Sequence, residues 1–309
     1  MEKKFKVVVL SGGISPERDV SIVSGKHVLE AMRKSFDAVG IRLDENRLPE
    51  GLVQDAVVFP AMHGDYGEDG TLQAELEAAN IHYAGSGSLS SRVCMVKPAA
   101  KALMKFYGLP VARSLEFSAE NKPAAHTLAE LFPDGAIIKP ADKGSSVGLI
   151  IAHNADEIAE GLEKISEGDW MAEEFVRGRE FSVGVIYGEA SGIVEIIPEG
   201  GVYDFQRKYT AGTTRYEFPA KLSKQTEAKI KDAAQRAFEA CGCRDFARVD
   251  FILADDEKSD FIILEINTLP GMTPTSLLPK SASCVGYDYE SLCAKLMEGA
   301  AKRRNAQKD

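Results

Sequence analysis

The sequence predicts an α/β chain that becomes α+β in its C-terminal part. Strand-like apolar runs alternate with helix-like segments through the first third, strands dominate from Glu180 onward, and 309 residues exceed what one small core requires. The alternation implies a parallel sheet covered on both faces, in which loops at the carboxyl ends of strands hold ligands. The length suggests two or three compact units.

In chain order, FKVVVL reads as a buried strand. Ser15-Pro16-Glu17 supplies an N-cap, a proline at the first helical position and an acid in the first turn, and VSIVSGKHVLEAM continues that helix. AVVFPAM is a second strand and GTLQAELEAAN a second helix, leaving SGGISPERD and MHGDYGEDG as candidate ligand loops. The Gly/Ser-rich stretch Ser86 to Ser91 marks a change of character. Lys97 to Gly108 then reads as a helix, AIIKP and VGLIIA as strands, NADEIAEGLEKI as a helix and WMAEEFV as a strand. EFSVGVIYG and SGIVEIIP pair around Gly188. The long polar segment 199–220 reads as a lid or binding loop. A helix in SKQTEAKIKDAAQRAFEAC, two strands, and a closing helix in YESLCAKLMEGAAKR complete the chain.

Composition narrows the partners. With 44% hydrophobic and 27% charged residues the chain is not disordered, and a formal charge of −10 argues against nucleic acid as a partner. The five cysteines show neither paired CxxC spacing nor a histidine cluster, as expected of free thiols in a reducing cytoplasm. The apolar run VVVL before Ser11-Gly12-Gly13 is too short for a signal segment or a membrane span.

The stretch ILEINTLPGMT, Ile263 to Thr273, begins as a buried strand yet places Glu265 and Asn267 on one face. The preceding strand, FARVDFILA, does the same with Arg248 and Asp250. If Asp255 to Asp260 closes a symmetric hairpin, Asp250 lies opposite Glu265 and Arg248 opposite Asn267. Two directly opposed carboxylates repel unless neutralised. Two carboxylates and an amide oxygen suit magnesium bridging a nucleotide phosphate, whereas the bland alternative is an exposed face with Arg248 pairing Asp250. The turn at Pro270-Gly271 ends the strand sharply and lets a ligand approach the backbone.

IIKPADKGSSVG offers a lysine at a strand end and a Gly/Ser loop, a cation and backbone donors for phosphate. Neither GxxxxGK[ST] nor GxGxxG is present. GSSVG fits GxSxG, which would make Ser146 a hydrolase nucleophile, but that motif needs a following helix and VGLIIA is strand-like. Other residues have ordinary readings too. His63 can be a satisfied loop histidine, Glu17 a complement to the helix dipole, Lys97 and Lys101 solvated helix lysines, and Glu173-Glu174 a solvent edge.

Together GGISPERDVS, MHGDYGEDGTLQ, IIKPADKGSSVG, Lys208-Tyr209, ARVDF and EINTLPGMTPTSLLP resemble the D-alanine–D-alanine ligases of the ATP-grasp superfamily over nearly the entire chain. The resemblance implies an ATP-grasp fold preceded by an N-terminal parallel-sheet, Rossmann-like domain. Residues 1–87 would form that domain with the first D-alanine site, 88–177 the central small domain, and 178–309 the C-terminal domain with the lid loop 199–220 and the metal site. It implies a cytoplasmic homodimer that acts on D-alanine and ATP, without nucleic acid or membrane, in making peptidoglycan precursors for the cell wall and cell shape. ATP would phosphorylate the first D-alanine, and the amine of the second would attack the acyl phosphate.

By position, the resemblance gives Asp250, Glu265 and Asn267 two magnesium ions, with Mn2+ as a substitute. Lys97, Lys139 and Ser146 would face the phosphates, Glu173 the adenine edge beside the hinge Glu174-Phe175-Val176, and Glu180 the ribose. Glu17, Ser145 and Tyr209 would form a triad that closes the lid, with Glu17 on the first ammonium and His63 assisting. Arg248 and the Gly271 backbone would stabilise an oxyanion. Lys208, Ser276 and Leu277 would receive the second carboxylate. Val96 and Asp142-Lys143 depart from the usual family residues, and Tyr209 favours an amine acceptor. The rival readings are a related ligase using D-serine or D-lactate, and a nucleotide-binding protein without catalysis.

Overall fold

A computed structural model describes residues 5–52, 55–145, 147–198, 214–255 and 260–306. Ser146, Lys208, Tyr209, most of the expected lid and the tip of the late hairpin lie outside the described residues.

The first sheet is parallel, in the order β2-β1-β3-β4, from β1 (Lys6–Gly12), β2 (Asp37–Leu43), β3 (Val57–Pro60) and β4 (His82–Tyr83). β1 and β3 are almost wholly buried, as their unbroken apolar runs require. β2, DAVGIRL, escapes a reading by hydrophobicity because it is an edge strand that buries only Ala38 and Leu43. The helices here are α1 (Arg18–Met32), α2 (Asp65–Glu68) and α3 (Thr71–Ala78). α1 starts later than the expected cap: Ser15 to Glu17 form a turn, with the Arg18 amide donating to the Ser15 carbonyl at 3.0 Å. The Ser15 hydroxyl donates to the His63 carbonyl at 2.8 Å, which ties the two ligand loops together.

α4 (Ser88–Met95) and α5 (Lys97–Phe106) follow, so the Gly/Ser-rich stretch runs into a helix from Ser88. An antiparallel sheet in the order β5-β8-β6-β7 comes next, from β5 (Ser114–Ser118), β6 (Ala136–Pro140), β7 (Ile150–Ala152) and β8 (Asp169–Glu174). α6 (Ala125–Leu131) and α7 (Ala155–Glu163) cover it through Leu128, Ile158 and Leu162. β6, loop and β7 form the strand-loop-strand that the hydrolase motif cannot use.

The third sheet, antiparallel in the order β11-β10-β9-β12-β13, contains β9 (Gly178–Ile186), β10 (Glu189–Pro198), β11 (Thr214–Glu217), β12 (Phe246–Ala254) and β13 (Phe261–Asn267). α8 (Lys224–Ala240), capped by Ser223, packs Ile230, Ala234 and Phe238 on it. α9 (Leu277–Ser283) lies against β9 and β10, where Ser281 accepts the Gly184 amide at 2.8 Å. The closing segment is two helices, α10 (Tyr289–Leu296) and α11 (Glu298–Ala306).

Chain order and packing differ at two places. α4 and α5 send Cys94, Ala100 and Met104 into the core of the third sheet, beside Phe181, Val249 and Ile263. α10 and α11 bring Leu292, Leu296 and Met297 to Val7, Val9 and Phe59 of the first sheet, where Phe246 stacks on Phe59 at 6.0 Å. Buried Asp245 pins this junction: Arg303 donates to both of its oxygens at 2.8 and 2.6 Å, and the Gly85 amide donates at 2.9 Å. No helix among the described residues is long and apolar enough to cross a membrane.

Candidate active site

The β12–β13 pairing sets the polar groups. Arg248 faces Asn267 and Asp250 faces Glu265, as the hairpin symmetry predicts. Past Asp250 the register slips, so that Phe251 pairs with Ile263, a bulge that leaves the polar pairs in register. Arg248 Nε lies 2.9 and 3.1 Å from the Asp250 oxygens and Nη2 2.7 Å from Oδ2, while Ser182 donates its hydroxyl to Asp250 at 2.6 Å. Arg248 Nη2 stands 3.8 Å from Glu265. One guanidinium therefore offsets part of the repulsion between the carboxylates. Asn267 Oδ1 accepts the Leu269 amide at 2.8 Å, which shapes the turn to Pro270-Gly271.

Two cavities meet along this hairpin. The first, about 570 Å³, is lined by Glu17, His63, Ser145, Arg248, Asn267, Gly271, Ser276 and Leu277. Ser145, held at φ 51°, donates its hydroxyl to Glu17, joining the phosphate loop to the start of α1. A non-glycine residue in this left-handed region is strained, and such strain concentrates at functional sites. Ser276 Oγ accepts the Thr273 amide at 3.0 Å and thereby closes the turn after β13. His63 places Nε2 3.1 Å from the Ser24 hydroxyl and Nδ1 3.4 Å from Glu68.

Burial pushes the Glu68 carboxyl above its usual range despite the hydrogen bond to His63. The unfolded chain then ionises Glu68 first, so its contribution to stability is complete below the ordinary carboxylate pKa and is lost as pH rises through the folded value. Glu68→Gln removes this titration. Its melting temperature relative to the unaltered protein is expected to be higher at pH 8 than at pH 4, and calorimetry showing no change in that difference would count against the raised carboxyl.

The second cavity, about 430 Å³, holds Lys139, Glu173 to Val176, Glu180 and Asp250, with apolar walls from Ile137, Leu149, Ile252, Ile262 and Leu264. Such walls suit a flat ring and the lysines suit phosphate. Glu173 is 3% exposed, with Lys101 and Lys139 each 3.0 Å from its Oε1. Burial alone would raise its carboxyl, but the two ammonium groups outweigh it and hold the group below the usual range. Neither Glu173 nor Lys101 is therefore at a solvent edge. Glu174 instead meets the Arg113 amide and guanidinium at 2.9 and 2.6 Å.

Lys97 and Glu265 line both cavities. The Lys97 ammonium donates to the Lys143 carbonyl, and burial lowers its pKa although Glu265 opposes the shift. Lys143, one of the departures noted in the sequence, reaches Asp65 of α2 at 2.8 Å. Glu68 and Ser182 were missed as site residues, Glu68 within the stretch MHGDYGEDG already singled out, and Lys101 reads from sequence as a solvated helix lysine. Lys280 was missed too; its ammonium sits 4.5 Å from the centre of the Tyr216 ring at the rim of the first cavity, where desolvation lowers its pKa.

Among the described residues no group of three His, Cys, Asp or Glu is placed to hold a metal. That fits magnesium, which takes one or two carboxylates and fills its remaining positions with phosphate oxygens and water. Asp250, Glu265 and Asn267 supply hard oxygen atoms only, Glu265 on the border of both cavities. Their chemistry suits a divalent cation bound together with a phosphorylated ligand.

The description "D-ala D-ala ligase C-terminus" matches residues 103–298, and "D-ala D-ala ligase N-terminus" matches residues 43–86. A D-alanine–D-alanine ligase of Syntrophotalea carbinolica is 40% identical over 304 residues, spanning 97% of each chain. The Bacillus anthracis D-alanine–D-alanine ligase complexed with ATP superposes with a TM-score of 0.85 at 29% identity, covering 98% of this chain and 99% of that one. VanG, a D-Ala:D-Ser ligase of Enterococcus faecalis, gives a TM-score of 0.82 at 27% identity, covering 96% and 99%. With three sheets in the arrangement of these solved enzymes and two cavities joined at Lys97 and Glu265, the chain belongs to the D-alanine–D-alanine ligase family of the ATP-grasp fold.

Proposed function

We propose that this protein joins two D-alanines into D-alanyl-D-alanine for peptidoglycan precursors, converting ATP to ADP and phosphate, as a cytoplasmic homodimer. The observation that carries the reading is the meeting, at Lys97 and Glu265, of a cavity that holds Glu17, Arg248 and Ser276 with an apolar-walled cavity that holds Lys139. A carboxylate in the first cavity is thereby brought to a terminal phosphate in the second.

Glu17 receives the ammonium of the first D-alanine, with His63 beside it. The carboxylate of that D-alanine attacks the γ-phosphorus; a P–O bond forms, the bond to ADP breaks, and Lys97 and Lys139 offset the charge of the phosphates. Asp250, Glu265 and Asn267 would hold the magnesium, two ions or Mn2+ in their place, which would supply further charge neutralisation. The amine of the second D-alanine, its carboxylate received by Ser276, Leu277 and Lys208, then attacks the acyl carbon and loses a proton. Arg248 and the Gly271 amide stand where oxygen charge develops, and phosphate leaves. Glu173 to Val176 and Glu180 hold the adenosine, and Ser146 covers the phosphates. By the family resemblance, Tyr209 would join Glu17 and Ser145, and segment 199–220 would have the task of keeping water from the intermediate.

Phosphate release should follow from ATP, magnesium and D-alanine, with the dipeptide found by mass spectrometry. A second reading, D-serine as acceptor, is favoured by the likeness to VanG. It predicts a mixed dipeptide when both amino acids are supplied. ATP binding without turnover in the presence of any D-amino acid would defeat both readings.

A further inference from the structure

Three cysteines converge behind the first cavity and have no part in the ligation. Cys94, on α4 three residues before Lys97, forms part of the cavity wall. Its Sγ lies 3.9 Å from Sγ of Cys243, which is in the connection from α8 to β12, the strand of Arg248 and Asp250. Ser90, one helical turn before Cys94, places its hydroxyl 3.5 Å from the Cys243 sulfur and 2.8 Å from the Cys241 carbonyl. All three thiols are free, and Cys243 is only partly buried.

We propose that Cys94 and Cys243 form an oxidisable pair that closes reversibly into a disulfide when the enzyme meets a hydroperoxide. Hydrogen bonding from the Cys94 thiol, helped by Ser90 and Ser86, holds the Cys243 thiol below its usual range against the effect of burial. Hydrogen bonding with Cys241 and Cys243, together with burial, holds Cys94 well above its usual range. Cys243, the partly exposed member of the pair, is thus the sulfur a peroxide reaches, and the buried Cys94 the one that resolves.

The Cys243 thiolate attacks one peroxide oxygen. An S–O bond forms, the O–O bond breaks, and the departing hydroxide takes up a proton to leave as water. The Cys94 sulfur then attacks the sulfenic sulfur, its proton passing to the leaving oxygen. An S–S bond forms, the S–O bond breaks, and a second water departs. Two thiols and one hydrogen peroxide give one disulfide and two waters; the sulfurs lose two electrons and the peroxide gains them.

A disulfide requires about 2.05 Å between sulfurs. The 3.9 Å contact must therefore contract, which draws α4 and the connection to β12 toward each other. Those segments position Lys97 on one side and Arg248 on the other. Displacing reacting groups by about 1 Å can cost ~100-fold in rate, so the oxidised form should turn over at least about tenfold more slowly. Such a bond suits a reversible response in a compartment where permanent disulfides are rare.

The test treats the full chain with hydrogen peroxide and maps its peptides without reduction. A Cys94–Cys243 cross-link, a mass lower by two hydrogens, and turnover restored by dithiothreitol are expected. Cys243→Ser or Cys243→Ala should keep the reduced activity and resist peroxide. The proposal falls if the cross-link is absent, if Cys94 joins Cys241 instead, or if the variants are as sensitive as the unaltered enzyme. Mapping reads the bond itself, so loss of the ligase reading would appear separately, as absent turnover in the reduced enzyme.

Discussion

Glu265→Gln is expected to lower turnover by about a thousandfold or more while leaving the melting temperature nearly unchanged. Glu265 borders both cavities and faces Asp250 across the hairpin. Glutamine keeps its size and one oxygen but removes the negative charge that faces the Arg248 guanidinium and that would hold a divalent cation. Its side chain is 34% exposed, so the fold does not depend on it as on a buried ion. Steady-state ADP release beside a thermal melt separates the two effects. Turnover within a few fold of normal would leave Glu265 as an electrostatic neighbour of Arg248 and remove it from the metal set.

The largest loss of stability is expected from Glu173→Gln, about 3–5 kcal/mol, because it strands the buried Lys101 ammonium and weakens the hold on Lys139. Adding Lys101→Met should recover part of the loss, since the unpaired charge is then gone. Because the Glu173 carboxyl is held below its usual range, its stabilisation is complete above the ordinary carboxylate pKa and is lost as pH falls through the lower folded value. The gap in denaturation midpoint between variant and unaltered protein should therefore narrow in acid, below about pH 4. Equal midpoints at neutral pH would show that the lysines find other partners.

Much of the site was legible because it depends on local rules. Period-two alternation and a hairpin of fixed parity brought Arg248, Asp250, Glu265 and Asn267 together before any coordinates, and the bulge preserved their alignment. Glu17 reads locally as an acid of the first helical turn, and only the resemblance marks it as a site residue; in the fold it stands just before α1, in the turn secured by Ser15. Lys101 read as a solvated lysine because burial comes from the neighbouring sheet, and nothing in KPAAKALMKF reveals that Glu173 lies above it. β2 was missed for its polarity, and α4 because its serines look like a linker until the third sheet covers them. Apolar patterning identifies central strands, while edges and contacts between distant segments depend on the assembled fold.

The closure of the first sheet by α10 and α11 also has a consequence for biosynthesis. Val7, Val9 and Phe59 leave the ribosome well before Leu292, Leu296 and Met297, which pack against them. The Asp245–Arg303 clamp likewise joins residues 58 positions apart, over the first-made Gly85. During elongation the Val7, Val9 and Phe59 face of the nascent N-terminal sheet is covered only in part, by Val28, Ala31 and Met32 of α1. A chain stalled before Tyr289 would leave the remainder of that face open to chaperones and proteases until α10 and α11 arrive.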